Sequence, residues 1–101
     1  MAQFDVFSNH SSKTSKRAPY LVQVQGNYLD STITTVVVPL LLPTSFIPAP
    51  VLNPVISFGG VEYYLGVAEI TAVLRSALGR PLGSVKQHRT DIINAIDRLI
   101  Q

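Results

Sequence analysis

No cysteine occurs in the 101 residues, which rules out a disulfide framework and any thiolate metal site. Tryptophan is absent as well, so a binding surface on this chain has no indole anchor to use. Charge is scarce: only 14% of residues are Asp, Glu, Lys or Arg, and the net charge is +2. The pI is near 9.2, but so small a surplus does not by itself mark a nucleic-acid binder. Long apolar runs are missing too. The longest, Val36–Leu42, is broken by Pro39 and falls far short of the roughly 20 residues that a membrane span needs. The first residues, MAQFDVF, lack the basic and then apolar pattern of a secretory leader, so a cytoplasmic protein with no membrane partner is expected. Two histidines without cysteine, and without a close cluster of His, Asp and Glu, fall short of a tetrahedral metal shell. Neither a metal nor another cofactor is expected.

What is present is apolar and patterned for strands. With 47% hydrophobic residues the chain is written to fold, and its length suits one domain over residues 1–101. Gln3–Phe7 alternates, with Phe4 and Val6 on one face. Asn9–Ala18 is polar and basic with no hydrophobic period, the mark of a mobile exposed loop. Tyr20–Gln25 alternates again, and after the turn residues Gly26-Asn27 and Asp30-Ser31 comes Thr32–Leu42, β-branched and then continuously apolar, as in a strand buried on both faces. Pro39 cannot donate to a ladder, so this strand is expected to bend or meet an edge there. Four prolines between Pro43 and Pro54 exclude regular helix. Gly59-Gly60 between Val55–Phe58 and Val61–Leu65 reads as a hairpin turn, with Tyr63 and Tyr64 on opposite faces. Val67–Leu78 fits either a helix or a strand.

The one convincing helix runs from Ser84 to Gln101. Ser84 and Gln87 form a capping-box pattern, and Val85, Ile92, Ile93, Ile96, Leu99 and Ile100 recur at helical spacing along one stripe. Short strands followed by a terminal helix imply an α+β domain with a curled antiparallel sheet.

Three stretches in order, LVQVQGNYLDSTITTVVVPL, LNPVISFGGVEYYL and HRTDIINAIDRLI, resemble the CcdB family of toxins from bacterial toxin–antitoxin modules. The resemblance implies an SH3-like antiparallel β-barrel with a C-terminal α-helix, assembled as a homodimer. It implies a protein that is not an enzyme but poisons DNA gyrase, binding the gyrase A subunit at its cleaved-DNA intermediate. A cognate antitoxin would neutralise it and co-repress the operon with it, so that operator DNA is reached only through the antitoxin. The target-binding positions carried over are Tyr28, Leu29 and Asp30 in the turn, with Asp97, Ile100 and Gln101 at the end of the helix. Asp97 stands where the family has Asn, and Leu99-Ile100-Gln101 replaces its aromatic–Gly–Ile tip. Lys13, Lys16 and Arg17 are the expected contacts for an acidic antitoxin arm.

Two alternatives stay open. One is an endoribonuclease toxin on the related barrel; the other keeps antitoxin binding but no longer poisons gyrase. For the former the candidate groups are His88, Arg89, Asp91 and Asp30. His88 and Asp91 lie one helical turn apart. His88 is also in register with the Val85–Ile92 stripe, which favours a structural role, and nothing in the sequence fixes His10.

Overall fold

The third strand, β3 (Thr34–Leu41), has partners on both edges and apolar or β-branched residues on both faces. The structure is a computed structural model that describes residues 2–29, 31–45 and 47–101. Around β3 lie β1 (Asp5–Ser8), β2 (Tyr20–Gln23), β4 (Val55–Phe58), β5 (Val61–Leu65), β6 (Thr71–Leu74) and β7 (Gly83–Ser84), followed by helix α1 (Arg89–Leu99). All pairings are antiparallel, in the order β4-β5-β3-β2-β1-β7, with β6 also on β3. The sheet curls into a nearly closed barrel with the helix at its C-terminal end, as the resemblance implied.

Pro39 marks the place where β3 changes partner. Thr34–Val37 pair with β6, whereas Leu40 and Leu41 pair with β5. The N–H and C=O of a strand residue point to the same edge, and the Pro39 carbonyl accepts from Gly66 N–H at 2.9 Å. Its donor-less nitrogen therefore faces the gap between β5 and β6, where no ladder bond is lost. Gly66 is required for this close approach: a Cβ there would lie 2.8 Å from Leu41 Cδ1 and 3.1 Å from Pro39 Cγ. The expected bend is thus a strand exchange.

The Gly59-Gly60 hairpin forms as expected, with both φ values positive (61° and 79°), the combination a tight two-residue turn needs. Val67–Leu78 is a short strand set between two 3-10 turns, Val67–Glu69 and Arg75–Ala77. At the C-terminus the expectation needs correction. Ser84 does not cap a helix; it pairs with Asp5 as part of β7, and its hydroxyl accepts from Lys86 N–H. A 3-10 turn, Lys86–His88, intervenes and α1 starts four residues later than the capping-box pattern implied, with no side-chain cap. Pairing with β1 wins over a local cap because it covers the edge of β1.

Alternation gives the sheet two buried faces. Val6, Val22, Val38 and Leu40 join Ile92 and Ala95 of α1 in the main core. On the opposite face Phe7, Val37 and Leu78 form a smaller cluster, with Leu21 and Val73 against it. Strands β4 and β7 are the two ends of the sheet, and side chains close the seam between them. The Phe58 ring packs over Gly83, and Tyr20 meets Phe58 and Tyr63 edge-on at 5.2 and 5.6 Å. Burial, with Tyr20 beside it, raises the Tyr63 hydroxyl pKa above the ordinary tyrosine value. His88 Nε2 accepts from Ser57 N–H at 3.1 Å, which satisfies a donor on the free edge of β4. In His88→Ala water replaces the imidazole at this exposed N–H, so unfolding in urea should show a loss of only about 0.5–1 kcal/mol. An unchanged midpoint would mean that the seam holds without this bond.

Candidate functional site

The segment between β1 and β2, exposed over most of its length as expected, is bridged internally by one side chain. Asn9 Nδ2 donates to Thr14 Oγ1 (2.9 Å) and to the Ala18 carbonyl (2.8 Å), and Asn9 Oδ1 accepts from Ser11 N–H (3.1 Å). Helix-like bonds from Ser15 N–H to Ser11 and from Ala18 N–H to Thr14 complete a compact coil. The polarity that suggested mobility is spent on internal hydrogen bonds.

At the end of this loop the Arg17 carbonyl accepts from Leu42 N–H, which fixes the residue beside the end of β3. Its guanidinium forks onto Glu69, Nη1 to Oε1 at 2.9 Å and Nη2 to Oε2 at 2.7 Å. Glu69 sits in the 3-10 turn that links β5 to β6, above the gap opened by Pro39. Both side chains are 43% exposed, so the pair contributes little to stability and stays open to solutes. Arg17 is thus already paired with a carboxylate, whereas Lys13 and Lys16 are exposed.

Two cavities lie under this loop on the outer face of the sheet. The first, of about 280 Å³, has Arg17, Glu69, Thr14 and Thr71 around a floor of Leu21, Val37, Pro39 and Val73. The second, of about 290 Å³, has His10 and Ser8 over Leu21, Val73, Ala77 and Leu78. They share Asn9, Ser11, Leu21 and Val73 and so adjoin beneath the loop, with a cation–carboxylate pair on the rim of one and an imidazole on the rim of the other. His10 packs beside Gly79, where a Cβ would stand 3.6 Å from its Nε2.

The other expected site residues fall elsewhere. Tyr28 is 98% exposed on the turn Asn27–Leu29. Asp30 lies outside the described residues, as does the side chain of Leu29. Asn27 Oδ1 accepts from Gln3 N–H, and Gln3 Oε1 accepts from Arg89, so the turn is tied to the start of α1. Ile100, 75% exposed, is at the opposite end of a helix of eleven residues, roughly 16 Å long. There Gln101 bonds to Asp97 and Arg98. The candidates on the helix do not gather either: His88 faces Ser57, Arg89 lies 5.7 Å above the Phe4 ring, and Asp91 is exposed. Glu69 was not singled out by the sequence at all. It lies 52 residues from its partner, and only the strand exchange at Pro39 brings the two together.

A family profile described as CcdB protein matches residues 3–101. The chain belongs to the CcdB family. That membership makes it a toxin of a toxin–antitoxin module. No curated protein matches this CcdB-family sequence significantly. Among solved structures it is similar to an endoribonuclease in complex with its cognate antitoxin, from a mycobacterial species, with a TM-score of 0.78 at 16% identity, over 99% of this chain and 94% of that one. It is also similar to a mycobacterial endoribonuclease, with a TM-score of 0.73 at 17% identity, over 99% and 90% of the two chains. Likeness at this identity establishes the barrel and its helix. It also overturns the expectation of a protein that is not an enzyme, because that expectation rested on family resemblance and the same barrel carries proteins named as enzymes. Among the described residues no helix is long and apolar enough to cross a membrane.

If Asn9 is the staple of the loop, Asn9→Ala should raise amide hydrogen exchange at Ser15 and Ala18 by at least tenfold while the β3 amides keep their protection. Equal protection in both proteins would show that the backbone bonds alone hold the loop.

Proposed function

We propose that this CcdB-family toxin cleaves single-stranded RNA in the groove beneath the β1–β2 loop. The observation that carries the reading is the Arg17–Glu69 pair on the rim of one cavity with His10 on the rim of the cavity that adjoins it. This supplies the three groups that phosphodiester cleavage by an internal nucleophile requires: a base, an acid and a fixed cation. Glu69 takes the proton from a ribose 2′-hydroxyl, whose oxygen attacks the adjacent phosphorus. Arg17 holds the non-bridging oxygens as negative charge builds on them, its fork suited to two of them at once. Protonated His10 donates to the departing 5′-oxygen. The products are a 2′,3′-cyclic phosphate and a 5′-hydroxyl, so no external oxidant or nucleophile is consumed. The structural likeness to proteins named endoribonucleases supports this reading. A cognate antitoxin that covers the groove and supplies its own carboxylate to Arg17 accounts for neutralisation, with Lys13 and Lys16 speeding the encounter.

The test is cleavage of a defined RNA by purified protein. Arg17→Ala and His10→Ala should each lower kcat by about 100-fold or more, with folding intact because both groups lie at the surface. Glu69→Gln should behave likewise. Wild-type rates in all three variants would remove the groove from consideration.

A second reading, poisoning of the gyrase A subunit by a homodimer, has one observation in its favour. Tyr28 is 98% exposed, and tyrosine is a common anchor of partner surfaces; Ile100, at 75%, is the other exposed apolar residue among the described carried-over positions. On this reading Tyr28→Ala should weaken binding to gyrase by about 2 kcal/mol or more and suppress gyrase–DNA cleavage complexes. Growth arrest without such complexes would leave the ribonuclease reading alone.

A further inference from the structure

We propose that the lobe of the groove beside His10 is a seat for one unstacked nucleobase, which gives the toxin its sequence preference. The inference rests on the ribonuclease reading for its ligand class and goes beyond it in assigning a specificity site. Both lobes have apolar floors, Leu21, Val37, Pro39 and Val73 in one and Leu21, Val73, Ala77 and Leu78 in the other, and they differ in the charge on their rims. Among the described residues the Arg17 lobe carries a guanidinium and a carboxylate and suits a phosphate, whereas no Lys, Arg, Asp or Glu lines the His10 lobe. Leu78 is fixed in that floor, being 2% exposed and packed with Phe7 and Val37.

Size bounds the ligand in either lobe. At about 290 Å³, close to the 280 Å³ of its neighbour, the lobe is at or just under the range of pockets that take drug-sized molecules. It suits one base with part of its ribose and is far too small for a duplex. The imidazole of His10 at the rim offers a face for stacking, and the hydroxyls of Ser8 and Ser11 can read a base edge. Asn9, although it lines both lobes, has its amide committed to the loop and leaves recognition to these hydroxyls. A base in a helix is already stacked and paired, so the seat selects single strands.

The experiment titrates the full chain with 2′-O-methyl tetranucleotides of each base, which cannot be cleaved because the attacking hydroxyl is blocked, and with one abasic version. Amide shifts of Val73, Ala77 and Leu78 should move on binding. The Kd should differ at least fivefold between the best and worst base, and the abasic probe should bind about tenfold more weakly than the best. Ala77→Phe, which fills the lobe from an exposed turn, should erase the differences between bases while the Arg17 side still binds phosphate. An abasic probe that binds as well as the best base, or shifts confined to the Arg17 lobe, would overturn the proposal. So would an acidic, leucine-rich peptide that moves the lobe amides where the oligonucleotides do not, since that assigns the lobe to a protein partner. The two readings fail separately. Base-dependent binding without cleavage of unmodified RNA sinks the ribonuclease and spares the seat; cleavage indifferent to base does the reverse.

Discussion

The missing N–H of Pro39 shapes both the barrel and its groove. A proline within a central strand is normally a defect, since it removes a ladder bond where none can be spared. Here its nitrogen faces the junction at which β3 leaves β6 for β5, and its carbonyl holds the chain of Gly66 against that junction. The turn that follows Gly66 buries Val67 in the main core and carries Glu69 at its end, where it lines the cavity beside Arg17. On the other side of β3, the Leu42 N–H anchors Arg17. The ion pair between these residues is a consequence of one strand changing partner, and Pro39 itself lies in the floor of the groove beneath it.

The two faces of the sheet do different work. The inner face, with α1 against Val6, Val22, Val38 and Leu40, supplies most of the buried apolar surface and hence the stability. The outer face has only a small cluster around Phe7, Val37 and Leu78. A barrel of this size cannot fill both layers, and the part left unfilled is the groove. Because its polar groups stand on the rim and its floor belongs to the strands, the site is held by rigid elements. The Arg17–Glu69 pair is exposed enough to exchange partners, as the proposed meeting of Arg17 with a phosphate requires.

Much of the barrel was legible in the residues, and the site was not. The doubly buried β3, the Gly59-Gly60 hairpin and the apolar stripe of the last helix are local patterns that tertiary structure had no reason to override. Ser84 and Gln87 misled because a cap and a strand end compete for the same residue, and pairing with Asp5 prevailed. Val67–Leu78 was ambiguous because it contains two turns and a strand, each too short to show a period. The groove depends on contacts between distant segments: Arg17 with Glu69, His10 with Gly79, Arg17 with Leu42. No spacing encodes such contacts. Asn9 was the one readable signal, a residue able to bond to nearby backbone at the start of a polar loop.

The most direct measurement is the chemistry of the RNA ends. Purified protein is incubated with a single-stranded RNA labelled at one end, in the presence of a chelator, and the products are tested for phosphorylation at the 5′ end and for a cyclic phosphate at the 3′ end. Acid–base cleavage by Glu69 and His10, with Arg17 on the phosphate, predicts 5′-hydroxyl and 2′,3′-cyclic phosphate ends. Intact RNA, or fragments carrying a 5′-phosphate, would contradict the account.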